Sequence, residues 1–364
     1  MDSFDHARVL FLTIGALCSG ACSRATPEEG EDRRAADSYA ASAPTQPMCA
    51  PSHEHFIDLG DLDPDHAPNT SVASALNDQG TVVGSGIVPV SSGKTTRHAF
   101  RWKAETGLVD LSVLAGEASY AMDVNEQEEV VGSAKLPGGS DQAVLWDAGN
   151  RIHELGSLGG SFSHAYRINN RGQVIGDAED ASGMLRAFIW DAQTGMVALD
   201  LPPYASVRDI NDSGVVVGSW LADGNYVPFK WTTDGGPTEL DTLGSRSGDA
   251  TSINTKGEIA GDVQFFETAG VKWTECGAQV LPPIPGGSSR TPHAINDQGW
   301  IVGDTTPGEQ AVEWDPMLKV RLLPLQATQS SATDVNNCGD VTGTRRAEGC
   351  MQRAFLWEPE RPAQ

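Results

Sequence analysis

The chain has 364 residues, a formal net charge of −24, and 40 glycines, with only 7% aromatic residues. So negative a surface repels a phosphate backbone, which argues against nucleic acid as a partner; it serves solubility or attracts a cation-rich ligand. The length alone would suggest two or three domains, but the repeats described below override that expectation.

In chain order, residues 1–22 read as a signal peptide. Val9 to Cys18 is an apolar run of about ten residues, too short to span a bilayer as a helix. Ser19, Gly20, Ala21 and Cys22 then supply small residues and a thiol at a cleavage point. A cysteine there resembles the lipidated first residue of a bacterial lipoprotein, with Ser19 standing where that motif has leucine; an ordinary secretory signal cut near Ala21 is the plainer alternative. Either reading implies export, with Cys22 the expected lipid anchor in the first. Residues 23–52 have almost no large apolar side chains and read as a flexible tether. Beyond Cys18 and Cys22, the cysteines Cys49, Cys276, Cys338 and Cys350 allow three pairings, and none has zinc-type CxxC spacing.

A phrase of the form Ala-x-x-Ile-Asn-x-x-Gly-x-Val-Val-Gly then recurs seven times. Its asparagines are Asn77, Asn125, Asn169, Asn211, Asn254, Asn296 and Asn336, spaced 40 to 48 residues apart. Each is followed by a tryptophan: Trp102, Trp146, Trp190, Trp231, Trp273, Trp314 and Trp357. In the third unit, Ala165–Ile168 reads as a first strand and Asn169–Gly172 as a turn, because asparagine bonds its own backbone two residues on and glycine accepts positive φ. Gln173–Gly176, Ala187–Trp190 and Met196–Leu199 read as three further strands. Four antiparallel strands in about 43 residues make one propeller blade. Phe188 and Trp190 share a strand face and are expected to pack between blades, with alanines such as Ala73, Ala121, Ala165, Ala250 and Ala332 at the narrow inner end.

The last unit ends at Trp357 without a fourth strand, while an orphan strand, His55–Gly60, precedes the first. The spacing therefore predicts a closed all-β, seven-bladed propeller over residues 53–358, the N-terminal strand completing the last blade, and a tail over 359–364.

The phrase Ile-Asn-x-x-Gly-x-Val-x-Gly with His98-Ala99-Phe100-x-Trp102, and the run Leu155 to Ala165, resemble the HAF-repeat family of bacterial extracellular proteins. The resemblance covers about residues 55 to 357; Glu128 replaces the turn glycine of the second unit, and only the first unit keeps the full His-Ala-Phe. It implies export and a repeat fold, and carries over no catalytic residue.

Short turns after each asparagine occupy one face of the ring, and longer loops the other. Asp61–Ser71, Ser85–Arg97, Asp177–Leu185 and Pro282–Thr291 read as such loops, so ligand recognition is expected there. Asp61, Asp63 and Asp65 alternate as a partial calcium ligand set without the remaining EF-hand positions, and read otherwise as a solvated acidic loop. His53 and His55 are two apart, as a zinc or copper pair can be. Two residues before each asparagine lies an axial position; it places Arg167 between Asp123 and Asp209 on successive blades and predicts an inter-blade charge cluster, the alternative being solvation in the channel.

No nucleophile elbow, HExxH zinc motif or phosphate loop is present. The expectation is a monomeric, non-catalytic binding or scaffold module with a protein or glycan ligand, needing no cofactor unless calcium, tied to a membrane only through the lipid. The rival is a hydrolase or lyase acting on polysaccharide or peptide at the loop-rich face, and a purely structural surface protein is a third reading.

Overall fold

The computed structural model describes residues 49, 55–63, 70–90, 94–111, 113–114, 118–284, 289–306, 310–325, 327–346 and 352–361. The signal segment with Cys22, the tether apart from Cys49, His53, Asp65, Cys350 and residues 362–364 lie outside them. Among the described residues, no helix is long and apolar enough to cross a membrane.

Twenty-eight strands form seven four-stranded antiparallel sheets, the blades of a seven-bladed propeller. Blade three illustrates the order, with strands Gly159–Ile168, Val174–Asp180, Leu185–Asp191 and Gly195–Ala198 running from the axis outward. Blade seven takes its outermost strand from the other end of the chain. His55–Asp58 pairs with Gln352–Glu358, in the register His55↔Glu358 to Asp58↔Phe355. Ring closure by the N-terminal strand is therefore the observed topology. A Cys49–Cys338 disulfide joins the residues before that strand to the turn of blade seven, the pairing that sequence left open.

Two of the expected loops are mostly strand. Val82–Val90 pairs with Lys94–Lys103 through most of the Ser85–Arg97 segment, and Glu179 pairs with Leu185 across a tight turn. The extended hairpins stand beyond the packed part of the blade, where polar side chains sit in solvent on a fully paired ladder, so polarity there did not signal a loop.

The core is divided into seven clusters, each bridging two consecutive blades. Between blades one and two, for example, Val83 and Ala99 pack on Val130, Val144 and Trp146. Phe100, Phe188, Phe229 and Phe355 are fully buried, and burial of each contributes about 1.5–3 kcal/mol before entropy is counted. Six repeat tryptophans are buried, whereas Trp190 is only partly so. Ala73, Ala121, Ala165, Ala250 and Ala332 are all buried in these junctions.

The final glycine of each phrase has a steric reason. A Cβ on Gly84, Gly132, Gly176, Gly218, Gly261, Gly303 or Gly343 would lie 1.9–2.1 Å from a carbonyl oxygen of the inner strand. The earlier turn glycine is needed for its backbone: Gly172 has φ +73°. Glu128 takes that position in blade two at φ 62°, a strained conformation for a side chain.

Candidate functional site: the axis and the loop-rich mouth

Each of the seven inner strands carries a register shift just before its asparagine, such as Ala121/Asp123 and Ala165/Arg167. A bulge leaves a residue out of the ladder and bends the strand, and the inner strand, as the edge of its sheet, turns N–H groups to the axis without a ladder partner. Aspartates at the axial position meet that demand on the next blade. Asp123 accepts from Ile168 N at 2.9 Å, Asp209 from Ile253 N at 2.8 Å, and Asp334 from Leu76 N at 3.0 Å.

The structure brings Asp123, Arg167 and Asp209 together around the channel and adds Asp334. Burial is the largest influence on all four; Arg167 opposes it for the acids, and the three acids oppose it for Arg167. Burial pushes Asp123 up to about 7 and Asp334 to about 6, and raises Asp209. The Arg167 guanidinium donates to the Tyr166 carbonyl at 2.9 Å. Within the expected inter-blade cluster, Arg167 therefore acts on the acids through the field across the channel. Three carboxylates facing one guanidinium leave an excess of negative charge, which favours protonation.

The asparagines do more than shape turns. Asn169 Oδ1 accepts from Arg171 N and Gln173 N at 3.0 and 2.9 Å, while its Nδ2 donates to the Asn211 carbonyl at 3.0 Å. The same interblade bond recurs from Asn77 to Asn125 and around the ring to Asn336, which donates to Asn77. Sequence reasoning missed this second use; the signal was an amide at all seven positions, where a turn alone would accept Asp or Ser.

On the loop-rich face a cavity of about 420 Å³ opens between blades three and four. Tyr166, Arg167, Asp177, Tyr204 and Arg208 line it, with Met122 from blade two. Tyr166 faces the Asp177 carboxylate, and burial with that charge raises its phenol well above the ordinary value. Arg208 pairs with Asp249 of blade five at 2.8 Å. Beside them burial, with Asp249 adding to it, pushes Asp262 up to about 6. His164 stands at 3.5 Å from Asp141 and packs edge-on to Phe162, ring centres 4.4 Å apart. None of these residues except Arg167 was singled out as a site residue from sequence, because they gather from different strands and blades. The face itself was expected.

The acidic candidates near the N-terminus part company. Asp61 is paired with Arg353 of blade seven, while Asp65 lies outside the described residues. His55 pairs with Glu358 at 3.2 Å. Among the described residues, no group of three or more His, Cys, Asp or Glu is placed to hold a metal ion.

No protein-family model matches this chain, and no curated protein is similar to it. Solved structures define its class as a β-propeller. The β-propeller domain of the Trilobed protease from Pyrococcus furiosus, described as having an open velcro topology, matches at TM-score 0.58 and 9% identity, over 79% of this chain and 93% of that one. Virginiamycin B lyase from Staphylococcus aureus matches at TM-score 0.55 and 12% identity, over 84% and 98%. Pyrococcus horikoshii acylaminoacyl peptidase matches at TM-score 0.58 and 11% identity, over 80% of this chain and 52% of that one. At such identities the likeness is one of fold, which hosts catalysts and binders alike.

Proposed function

We propose that this is an exported, lipid-anchored propeller of HAF-repeat type that binds a protein or glycan ligand without transforming it. The cleft of Tyr166, Asp177, Tyr204 and Arg208 is its ligand seat. The observation that carries this reading is the convergence of two tyrosine rings and opposite charges at the mouth between blades three and four. Aromatic faces with a few placed polar groups are the usual make-up of a recognition site. The charges are tied to each other, Arg208 to Asp249 at 2.8 Å, and among the described residues no histidine is bonded to Ser206, the one hydroxyl of the lining besides the tyrosines. A glycan and peptide screen on residues 23–364, which keep the Cys49–Cys338 bond, with and without calcium, tests this. Binding that is lost in Tyr204→Ala and Arg208→Ala, with the ligand recovered intact, supports the seat; binding unaffected by both variants overturns it. Palmitate labelling of the wild type but not of Cys22→Ser tests the anchor, and an unlabelled mature wild-type protein would defeat it.

A second reading, a hydrolase or lyase at the same mouth, is favoured by Asp262, whose carboxyl is pushed up to about 6, into the range of a general base. Conversion of a screened ligand that is abolished by Asp262→Asn would establish it in place of the binding module.

A further inference from the structure

Each repeat tryptophan packs across a blade junction, and what covers its turn-face edge differs between junctions. Between blades one and two Arg101 stands at this edge. Its guanidinium donates to the carbonyls of Glu128 at 2.8 Å, Ala148 at 3.3 Å and Asp147 at 3.4 Å, and Trp146 is fully buried. Between blades five and six, Lys272 stands in the same register position. Its ammonium pairs with Glu258 at 2.9 Å, its Nζ is 3.2 Å from where a Cβ on Gly299 would lie, and Trp314 is fully buried. Between blades six and seven, Glu313 holds that position and pairs with Arg321, whose guanidinium lies 5.4 Å from the centre of the Trp357 ring. Three junctions thus place a cation of the chain itself on the turn side of the next blade, bonded to the carbonyls just after Trp146 in the first and over the Trp357 ring in the third.

Between blades two and three the register position belongs to Leu145, which has no such group. Blade three follows blade two at an offset of 44 residues, from Asn125 to Asn169. The counterparts of Glu128, Asp147 and Ala148, whose carbonyls hold Arg101, are therefore Gly172, Asp191 and Ala192. All three line a cavity of about 670 Å³, together with Leu145 and Trp190. Trp190 is also the one repeat tryptophan that is not buried. At the other junctions with an apolar residue in this position, Ile189 and Leu356, the tryptophans Trp231 and Trp102 stay buried at 8% and 7% exposure. Glu129, Asp147 and Asp191 stand on the rim with His153 and Arg171. Arg171 reaches toward blade four, donating to the Asp212 carbonyl at 3.4 Å, and His153 lies 3.1 Å from the Asp147 carboxylate.

We infer that the groove over Trp190 is a docking seat for an arginine side chain presented by a partner polypeptide. The protein shows in its own junctions what such a groove accepts, and here the occupant is missing from the sequence position that would supply it. Indole is the best aromatic partner for a cation, and the guanidinium fork matches carbonyl and carboxylate acceptors. The net charge of −24 draws basic partners toward the surface. The seat lies on the turn face, away from the loop-rich cleft, and does not depend on the function proposed for that cleft.

The test is a titration of the full chain with an acetyl-Gly-Arg-Gly-amide peptide and with its citrulline isostere, following the Trp190 indole N–H by NMR. The arginine peptide should move that signal, and the citrulline peptide should bind at least about tenfold more weakly. Leu145→Arg, which supplies the counterpart of Arg101, should abolish binding while its Tm shows it folded. Trp190→Leu, which keeps apolar packing but removes the ring, should weaken binding about tenfold. Equal binding of both peptides, an unmoved Trp190 signal, or undiminished binding in either folded variant overturns the assignment. Tighter binding after Arg24, Arg33 and Arg34 are replaced by glutamine would mean the seat is filled from within the chain, and would overturn the partner.

Discussion

Asn336 and Asn77 are 259 residues apart, and the Nδ2 of the first donates to the carbonyl oxygen of the second at 3.1 Å. That bond closes a circle of seven identical side chain–backbone links, one per blade junction. A buried amide in this circle serves its own turn and its neighbour's backbone together. Removing one strands several buried partners.

Asn169→Ala should accordingly cost about 2–4 kcal/mol, read as a lower urea midpoint at unchanged m-value. Asn225→Ala, just after the exposed turn of Asp223 and Gly224, should stay within about 0.5 kcal/mol. A loss below about 1 kcal/mol for Asn169→Ala would show that the circle is incidental.

Two glycines of blade three separate close approach from backbone conformation. Gly176→Ala puts a Cβ 1.9 Å from the His164 carbonyl oxygen and should cost more than about 4 kcal/mol, seen as loss of soluble protein or a collapsed Tm. Gly195→Ala meets nothing within 4 Å and pays only for φ +70°, about 1–2 kcal/mol. Equal losses would contradict the steric account.

Glu128 offsets its strained backbone with contacts to blade one: Thr81 Oγ1 at 2.8 Å, Lys103 Nζ at 3.0 Å and Asn77 Nδ2 at 3.3 Å. Glu128→Ala loses these and keeps the strain, so a fall of about 1.5–3 kcal/mol is expected. Glu128→Gly should be more stable than the alanine variant by about 1 kcal/mol, since it relieves φ 62°. Thermal unfolding of the two variants decides; an alanine variant as stable as wild type would refute the bridging role.

The axial acids give a pH dependence of definite sign. Asp123 is raised from 3.8 to about 7 and Asp334 to about 6 in the folded protein. Between pH 4 and 7 the unfolded chain has already released these protons while the folded one holds them, so their contribution to stability falls as pH rises through that window. Asp123→Asn keeps an acceptor for Ile168 N but cannot ionise. It should match wild type near pH 4 and exceed its Tm by about 2–4 °C near pH 7.5. A wild-type advantage at pH 7.5 would reverse the assignment.

The Cys49–Cys338 bond ties the chain to the turn of blade seven just before its closing strand begins. Cys338→Ser should lower stability by about 2–4 kcal/mol. Amide exchange should rise first in His55–Asp58, whose closure then rests on its ladder and on non-covalent contacts such as the His55–Glu358 pair. Unchanged protection there would remove the disulfide from the closure mechanism.

Much of the fold was legible because its causes are local. The period, the Asn-x-x-Gly turn and the two-residue alternation ending in tryptophan act within a single blade, and the orphan strand His55–Gly60 with the truncated last unit made the ring's closure a matter of counting. The charges at the axis were legible too, since register alone aligns Asp123, Arg167 and Asp209. What register does not supply is reach: whether Arg167 touches those acids, that Asn169 spans to Asn211, or that Glu128 leans on blade one. The cleft of Tyr166, Asp177 and Arg208, the exposed edge of Trp190 and the choice of Cys338 as the partner of Cys49 depend on side chains brought together from different blades. Such contacts form only once the ring has set the spacing and twist between its blades, so the tertiary structure alone decided them.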